Sequence, residues 1–337
     1  MIMNPNYKRN RQDRYRQDPY AKRTDGTPET ASVSKKTVPS VLIGILVLAG
    51  ILVLCILASR QRQKTSAPAG EYAFRVRYLD VGNADATLIA CDGHYMLIDG
   101  GYADSSDKIY TVLQDEGAET IDYLVCTHGH ADHCGGLAAA FHAAEVGTVL
   151  APVREDPENY HFTRFAVQTE KAGLAITVPE PGSEYTLGSA RFTVLGPLTT
   201  DVEDLNDTSL VIKITYGETS FLFCGDATRV EESSLLDAGT DLKADVLKAG
   251  HHGSGASTSY RWLYEVDPAY TVISCGKGNE YGHPHESMLS RVRDQGSELY
   301  RTDLQGDITA ESDGQTIVFT VEKNPDADVF APGDSFQ

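Results

Sequence analysis

Cysteine is scarce in this 337-residue chain, and none of the six falls in a C-x-x-C spacing. Cys55 lies in a long apolar run; Cys91, Cys126, Cys134, Cys224 and Cys275 are odd in number, scattered, and each beside an apolar stretch. A disulfide framework is therefore not expected, and the five read as small buried residues. Basic charge is equally scarce from residue 65 onward, with 17 Lys/Arg against 44 Asp/Glu, a net of −27. Most non-specific affinity for nucleic acid comes from neutralising phosphates, so tight binding of long polyanions is not expected of this part. No internal repeat is visible. Only one apolar run is long enough to cross a bilayer, so a channel built from many membrane helices is excluded as the product of this chain.

What is present divides into segments of different character. Residues 1–64 carry 12 Lys/Arg against 4 Asp/Glu, a net of +8. Within them, 1–38 is polar and basic without hydrophobic periodicity, the composition of a disordered tail. Residues 41–58 are an uncharged apolar run, which predicts a membrane helix over 39–59. Nine Lys/Arg precede it and three follow closely, so the positive-inside rule places the amino terminus in the cytoplasm and the rest outside the cell. Residues 60–70 read as a linker and 324–337 as a flexible tail. Between them, 71–323 alternates predicted strands (72–81, 86–91, 95–98, 122–126, 190–195, 209–215, 219–224, 245–248, 270–274, 315–321) with predicted helices (106–117, 135–144, 160–172). That order implies a layered domain of the α+β or α/β kind.

Four loops hold the chemistry. Thr127-His128-Gly129-His130-Ala131-Asp132-His133 follows the apolar strand ending at Cys126. Four nitrogen and oxygen donors within six residues at a strand end suit a divalent transition metal. Phe221-Leu-Phe-Cys-Gly-Asp226-Ala227 ends a second apolar strand on a carboxylate, which can bridge cations or cap a helix. Leu247-Lys248-Ala249-Gly250-His251-His252-Gly253-Ser254 ends a third on paired histidines, and Tyr281-Gly282-His283-Pro284-His285 adds two more. Seven of the ten histidines fall in these loops; His94, His142 and His161 read as ordinary surface or core residues.

In this order, T-H-G-H-A-D-H, G-D-A and H-H-G-S resemble the metallo-β-lactamase superfamily. More narrowly they resemble its branch containing the carboxy-terminal domain of the competence protein ComEC and the choline-phosphate esterases of bacterial surfaces. The resemblance covers residues 73–321 and includes Leu79-Asp-Val-Gly82, Ile98-Asp-Gly-Gly101, Asn206-Asp-Thr-Ser-Leu-Val211 and Arg301-Thr-Asp303. It implies a four-layer αββα sandwich with two divalent metal ions at one edge, zinc expected and manganese the alternative. His128 and His130 would hold the first metal and Asp132, His133 and His252 the second. Asp226 would bridge them and Asp99 would orient the metal-bearing loop. His251 and His285 would contact the substrate or move protons. The chain departs from the pattern twice. Where the superfamily places a third histidine on the first metal, residues 201–207 offer only Asn206 and carboxylates. The opening motif reads Asp80-Val-Gly-Asn-Ala-Asp85, with Ala84 where relatives carry a glycine free to adopt positive φ.

The expected function is metal-assisted hydrolysis of a phosphodiester, DNA or a smaller molecule, by a metal-activated hydroxide in a membrane-anchored enzyme. Hydrolysis of a carboxyl derivative (β-lactam, lactone or thioester) and a metal-binding surface module with little catalysis are the alternatives, because a fold does not fix a function.

Overall fold

Strict alternation shapes the first strand, β1 (Phe74–Tyr78): Phe74, Val76 and Tyr78 are buried on one face and Arg75 and Arg77 stand on the other. The computed structural model describes residues 73–333. The predicted basic tail, membrane helix and linker lie outside the described residues, as do residues 334–337. Among the described residues no helix is long and apolar enough to cross a membrane.

The remaining strands are β2 (Thr87–Cys91), β3 (His94–Ile98), β4 (Thr120–Val125), β5 (Glu145–Leu150), β6 (Ile176–Thr177), β7 (Glu184–Leu187), β8 (Ala190–Gly196), β9 (Val211–Tyr216), β10 (Thr219–Phe223), β11 (Val246–Lys248), β12 (Tyr270–Ile273), β13 (Glu298–Arg301), β14 (Ile308–Ser312) and β15 (Ile317–Val321). They form an eight-stranded sheet, β15-β14-β1-β2-β3-β4-β5-β6, and a seven-stranded one, β13-β12-β11-β10-β9-β8-β7. The inner faces meet in one apolar cluster that includes Phe74, Tyr78, Met96, Phe192, Phe221 and Phe223. Helices α1 (Ser106–Asp115), α2 (Ala131–Cys134), α3 (Ala140–Ala143) and α4 (Tyr160–Lys171) cover the outer face of the first sheet, through Ile109, Leu113, Ala140 and Phe162. Helices α5 (Arg229–Asp237), α6 (Tyr260–Val266) and α7 (Glu286–Gln295) cover the second, through Leu235, Trp262 and Leu289, and α8 (Thr302–Gln305) follows β13. The result is the expected four-layer sandwich, each layer burying one apolar face against the next.

Parallel pairing fixes where the loops go. β3, β4 and β5 pair in parallel in the first sheet, and β10, β11 and β12 in the second. Parallel neighbours release their chains at the same edge, the usual place for a site in an open α/β sheet. Asp99, Thr127, Asp226, the loop after Lys248 and Ser274 all follow such strand ends.

Several expectations need correction. β5 is not among the predicted strands because Gly147 interrupts its apolar run; a Cβ there would sit 3.0 Å from the Asp122 carbonyl oxygen, a close approach that favours glycine. β14 (sequence ITAES) escaped because its buried end is polar: Ser312 shares a 2.8 Å hydrogen bond with Thr219 across the sheets. The predicted helix over 135–144 is shortened, since Gly135 and Gly136 stay in the loop and Gly136 lies against the backbone of Gly100 and Tyr102. Ala84 does not need a positive φ, because Gly82 takes the left-handed turn of that loop at φ 79°. The five described cysteines are free and buried, as expected.

The stretch after Lys323, expected to fray, is held down as far as residue 333. The Arg301 guanidinium, fixed by both Asp303 carboxylate oxygens, donates to the carbonyls of Val329 and Ala331. Val329 and Phe330 pack on the outer cluster of the second sheet, and the Gly333 amide donates to the Pro284 carbonyl at 3.1 Å. Ending the chain at Lys323 is expected to lower stability by about 2 kcal/mol or more. Urea unfolding measures this; an unchanged midpoint would show that the docked segment contributes nothing.

Candidate metal centre

Asp99 organises the first-sheet side of the site. It follows β3 in a left-handed conformation (φ 57°), and its buried carboxylate accepts from the Thr127 amide (2.8 Å), the Thr127 hydroxyl (2.7 Å) and His133 Nδ1 (2.8 Å). Burial pushes this carboxyl up against the pull of His133 and the Thr127 amide. Because Nδ1 of His133 is the donor, its Nε2 is the nitrogen left to face the site. On the second-sheet side, His252 donates from Nδ1 to the Ser274 carbonyl at 3.0 Å, which again leaves Nε2 facing inward. A hydrogen-bond acceptor behind each ring fixes its tautomer and orientation, as around metal-bound histidines generally.

The two Nε2 atoms meet two carboxylates. His133 Nε2 is 3.2 Å from Asp226 Oδ1, and His252 Nε2 is 3.3 Å from Asp132 Oδ2 and 3.5 Å from Asp226 Oδ2. One donor atom from each of the four residues falls within a 4.8 Å sphere of mutual distances. Yet His133 Nε2, His252 Nε2 and Asp226 Oδ1 are buried without any well-formed hydrogen bond. Orphaned polar atoms at such depth are costly. Two imidazoles and two carboxylates converging with free lone pairs fit a divalent cation.

The electrostatics agree. Burial opposes the charged form of His252, but Asp226, Asp132 and Asp85 outweigh it and raise its pKa to about 10. His133 likewise rises well above the ordinary histidine value, burial being outweighed by Asp226 and Asp99. Without a cation the cluster recruits protons to the atoms that would bind one.

His128 and His130 lie beside this set rather than in it. His128 is fully buried, with its Nε2 3.0 Å from His130 Nδ1. Within 201–207 the carboxylates of Asp204 and Asp207 are taken: Asp204 accepts from the Asn206 amide, and Asp207 accepts from the Thr228 amide and hydroxyl and from the Glu231 amide. Asn206 lines the cleft, and its Oδ1 is buried without a partner. It lines the same cleft as His130.

The cleft above these residues holds about 390 Å³. His251, with Nε2 3.7 Å from Asp226, lines it, as do His283 and Tyr281. His251 and His252 adopt successive left-handed conformations (φ 51° and 53°), which turns both rings toward the cleft. His285 does not line it. Its Nδ1 accepts from the Gly255 amide at 2.9 Å and its Nε2 donates to the Tyr281 carbonyl at 3.0 Å, so both ring nitrogens are committed to holding the loop. The histidine of that motif that lines the cleft is His283, whose pKa is held down to about 3 by burial and by the His252, His285 and His251 rings. His161, read as ordinary, also lines the cleft; an exposed position on α4 carries no sequence signal for that.

Metal uptake by the chain is expected to release protons at neutral pH, since His133 and His252 must lose them. Affinity should fall as pH falls. Calorimetric titrations in buffers of different ionisation enthalpy read this directly; zero proton release at pH 7 would contradict it. Asp226→Asn should weaken metal binding by more than the roughly 10- to 100-fold typical of residues behind the ligands, measured by chelator competition, while the circular dichroism spectrum is kept.

The family model of the metallo-beta-lactamase superfamily matches residues 79–277. ComE operon protein 3 of Bacillus subtilis (strain 168) is 27% identical over 253 residues, covering 69% of this chain and 32% of that protein. Competence protein ComA of Neisseria gonorrhoeae is 31% identical over 72% of this chain and 32% of its own length. Recombination protein 2 of Haemophilus influenzae is 30% identical over 83% of this chain and 33% of its own length. The chain thus spans about a third of each of these relatives. With the four converging side chains inside the matched region, the protein belongs to the metallo-beta-lactamase superfamily and is similar to these three proteins over about a third of their length.

Proposed function

We propose that the protein is a membrane-anchored, metal-dependent phosphodiesterase acting on DNA ends or on smaller phosphodiesters. The observation that carries the hydrolytic reading is the set of inward-facing His133 and His252 Nε2 atoms beside Asp132 and Asp226, at the floor of an open cleft. A divalent cation in this set, zinc or manganese, supplies Lewis-acid activation of water and neutralises negative charge on the substrate.

The chain's own residues do the rest. Asp226 joins the two sides of the site, since its oxygens reach His133, His251 and His252. His251 and His283 line the cleft, each with a buried Nδ1 that has no partner, and in this reading they carry protons to and from the substrate or leaving-group oxygen. Asp99 and Ser274 keep the two ligand rings from turning. His128, His130 and Asn206 form the flank on which a second cation is proposed. No Lys or Arg lines the cleft among the described residues, so an anionic substrate depends on bound cations for its charge partners.

Phosphodiester chemistry is favoured over carboxyl derivatives by the relatives, whose names speak of competence and recombination. The net charge of −27 after residue 64 favours a single phosphodiester or a strand end over a long duplex. The apolar run at 41–58 anchors the chain in the cell membrane in this reading, with the catalytic domain on the external side.

The test is hydrolysis by the full chain in detergent, with zinc or manganese added. Bis-p-nitrophenyl phosphate, single-stranded and duplex DNA, and a β-lactam reporter are compared. Phosphodiester turnover that disappears with chelator and in Asp226→Asn is expected. Turnover of the β-lactam alone would replace this reading with carboxyl-derivative hydrolysis.

A further inference from the structure

One buried ion pair beside the metal centre stands outside the set of Asp132, His133, Asp226 and His252, although Asp85 also converges with Asp99 and His133. Lys248 and Asp85 are 2% and 5% exposed, and Lys248 Nζ donates to Asp85 Oδ2 at 2.9 Å and to the Ala249 carbonyl at 3.0 Å. Buried ion pairs add little net stability, because desolvation offsets their attraction. A stability role therefore explains the pair poorly, and its position gives a better account.

Asp85 belongs to the loop after β1, in the first sheet, while Lys248 is the last residue of β11, in the second. Through its backbone Asp85 is tied to the metal-bearing loop: its amide donates to the Asp132 carbonyl at 3.1 Å, and its own carbonyl accepts from the Gly101 amide at 2.8 Å. Through its side chain it faces the other loop: Asp85 Oδ1 has no hydrogen-bond partner and lies 3.5 Å from His252 Nδ1. Asp132 and His252, whose donor atoms stand 3.3 Å apart, are thus both reached from one residue, and Lys248 anchors that residue to the opposite sheet.

We propose that the Lys248–Asp85 pair is a clasp between the two sheets that sets the separation of Asp132 and His252, making both members positioning residues for the metal centre. The proposal rests on the metal-centre reading above. It assigns the pair to the spacing of donors that come from different sheets, a task no hydrogen bond within either sheet can perform.

The experiment measures zinc affinity by chelator competition and thermal unfolding without metal, on the full chain and on Asp85→Asn, Lys248→Met and the double variant. Each single variant leaves one buried polar group unmatched and should lose both stability and affinity. The double variant removes the charge pair together. It should recover most of the metal-free stability while its zinc affinity stays about 10- to 100-fold weaker, the range found for residues that orient metal ligands. A double variant that binds zinc as tightly as the parent would overturn the clasp. Should the double variant not fold, Asp85→Asn decides, because the amide keeps the carboxylate's shape; undiminished affinity in it overturns the proposal. A parent chain that takes up no metal defeats the metal-centre reading itself and the clasp with it.

Discussion

A carboxylate with 2% exposure cannot remain ionised unless the structure around it compensates the charge, and Asp226 is such a group. Burial alone would push its carboxyl up; His133 and His252 outweigh that and hold it well below the usual carboxylate range. The requirement propagates outward. The histidines must come from both sheets, so the sheets must end their parallel strands at the same edge. The residue before Asp226 must be glycine. Gly225 takes φ 50°, and a Cβ on it would fall 2.9 Å from Ser209 Oγ and 3.0 Å from Thr127 Cβ. Ser209 in turn accepts from the Asp226 amide. The Gly-Asp pair is thus the point where both sheets and their strand-end loops close on one another.

Local backbone conformation is spent on the same end. Asp99, His251 and His252 are all left-handed although none is glycine. Such conformations are disfavoured and persist where surrounding contacts over-determine them. For Asp99 those contacts are three hydrogen bonds to its carboxylate; for His252 they are the Ser274 carbonyl and the Asp85–Lys248 pair. The loop that follows is pinned further: buried Arg291 donates to the carbonyls of Gly255, Ser257 and Thr258, and Glu232 accepts from the amides of Thr258 and Ser259. Rigid apolar layers thus support a polar edge whose own geometry is strained.

Much of this was legible in the chain. Apolar strands running into His-x-His-x-Asp-His, Gly-Asp and His-His loops announce donors at strand ends, and parallel pairing makes those donors converge. The sequence could not separate His283 from His285, two positions apart and chemically identical. The difference lies in the Gly255 amide and the Tyr281 carbonyl, which occupy both nitrogens of His285 and depend on folds of the chain elsewhere. Asp85 and Lys248 were hidden for a related reason. Each looks like an ordinary charged residue, and their pairing joins positions 163 apart. The polar strand β14 and the docked stretch near Val329 were missed because local composition cannot report a partner supplied from far away.

The acidity of the domain bears on how a substrate could be held. No Lys or Arg lines the cleft among the described residues, so the metal-free site presents carboxylates and histidines, and the positive charge set against those carboxylates is that of the protons held by His133 and His252. A divalent cation displacing those two protons would leave the net charge little changed but would concentrate it at the floor of the cleft. At physiological ionic strength fields between exposed charges fade over about 8 Å, so that concentrated charge would be felt inside the cleft and hardly beyond it. A single phosphodiester seated at the floor would be attracted, while the rest of a long strand would still face an acidic surface. In the proposed reading, substrate length and metal occupancy are thus coupled through the charge distribution, which would favour short ligands or strand ends over extended polyanions.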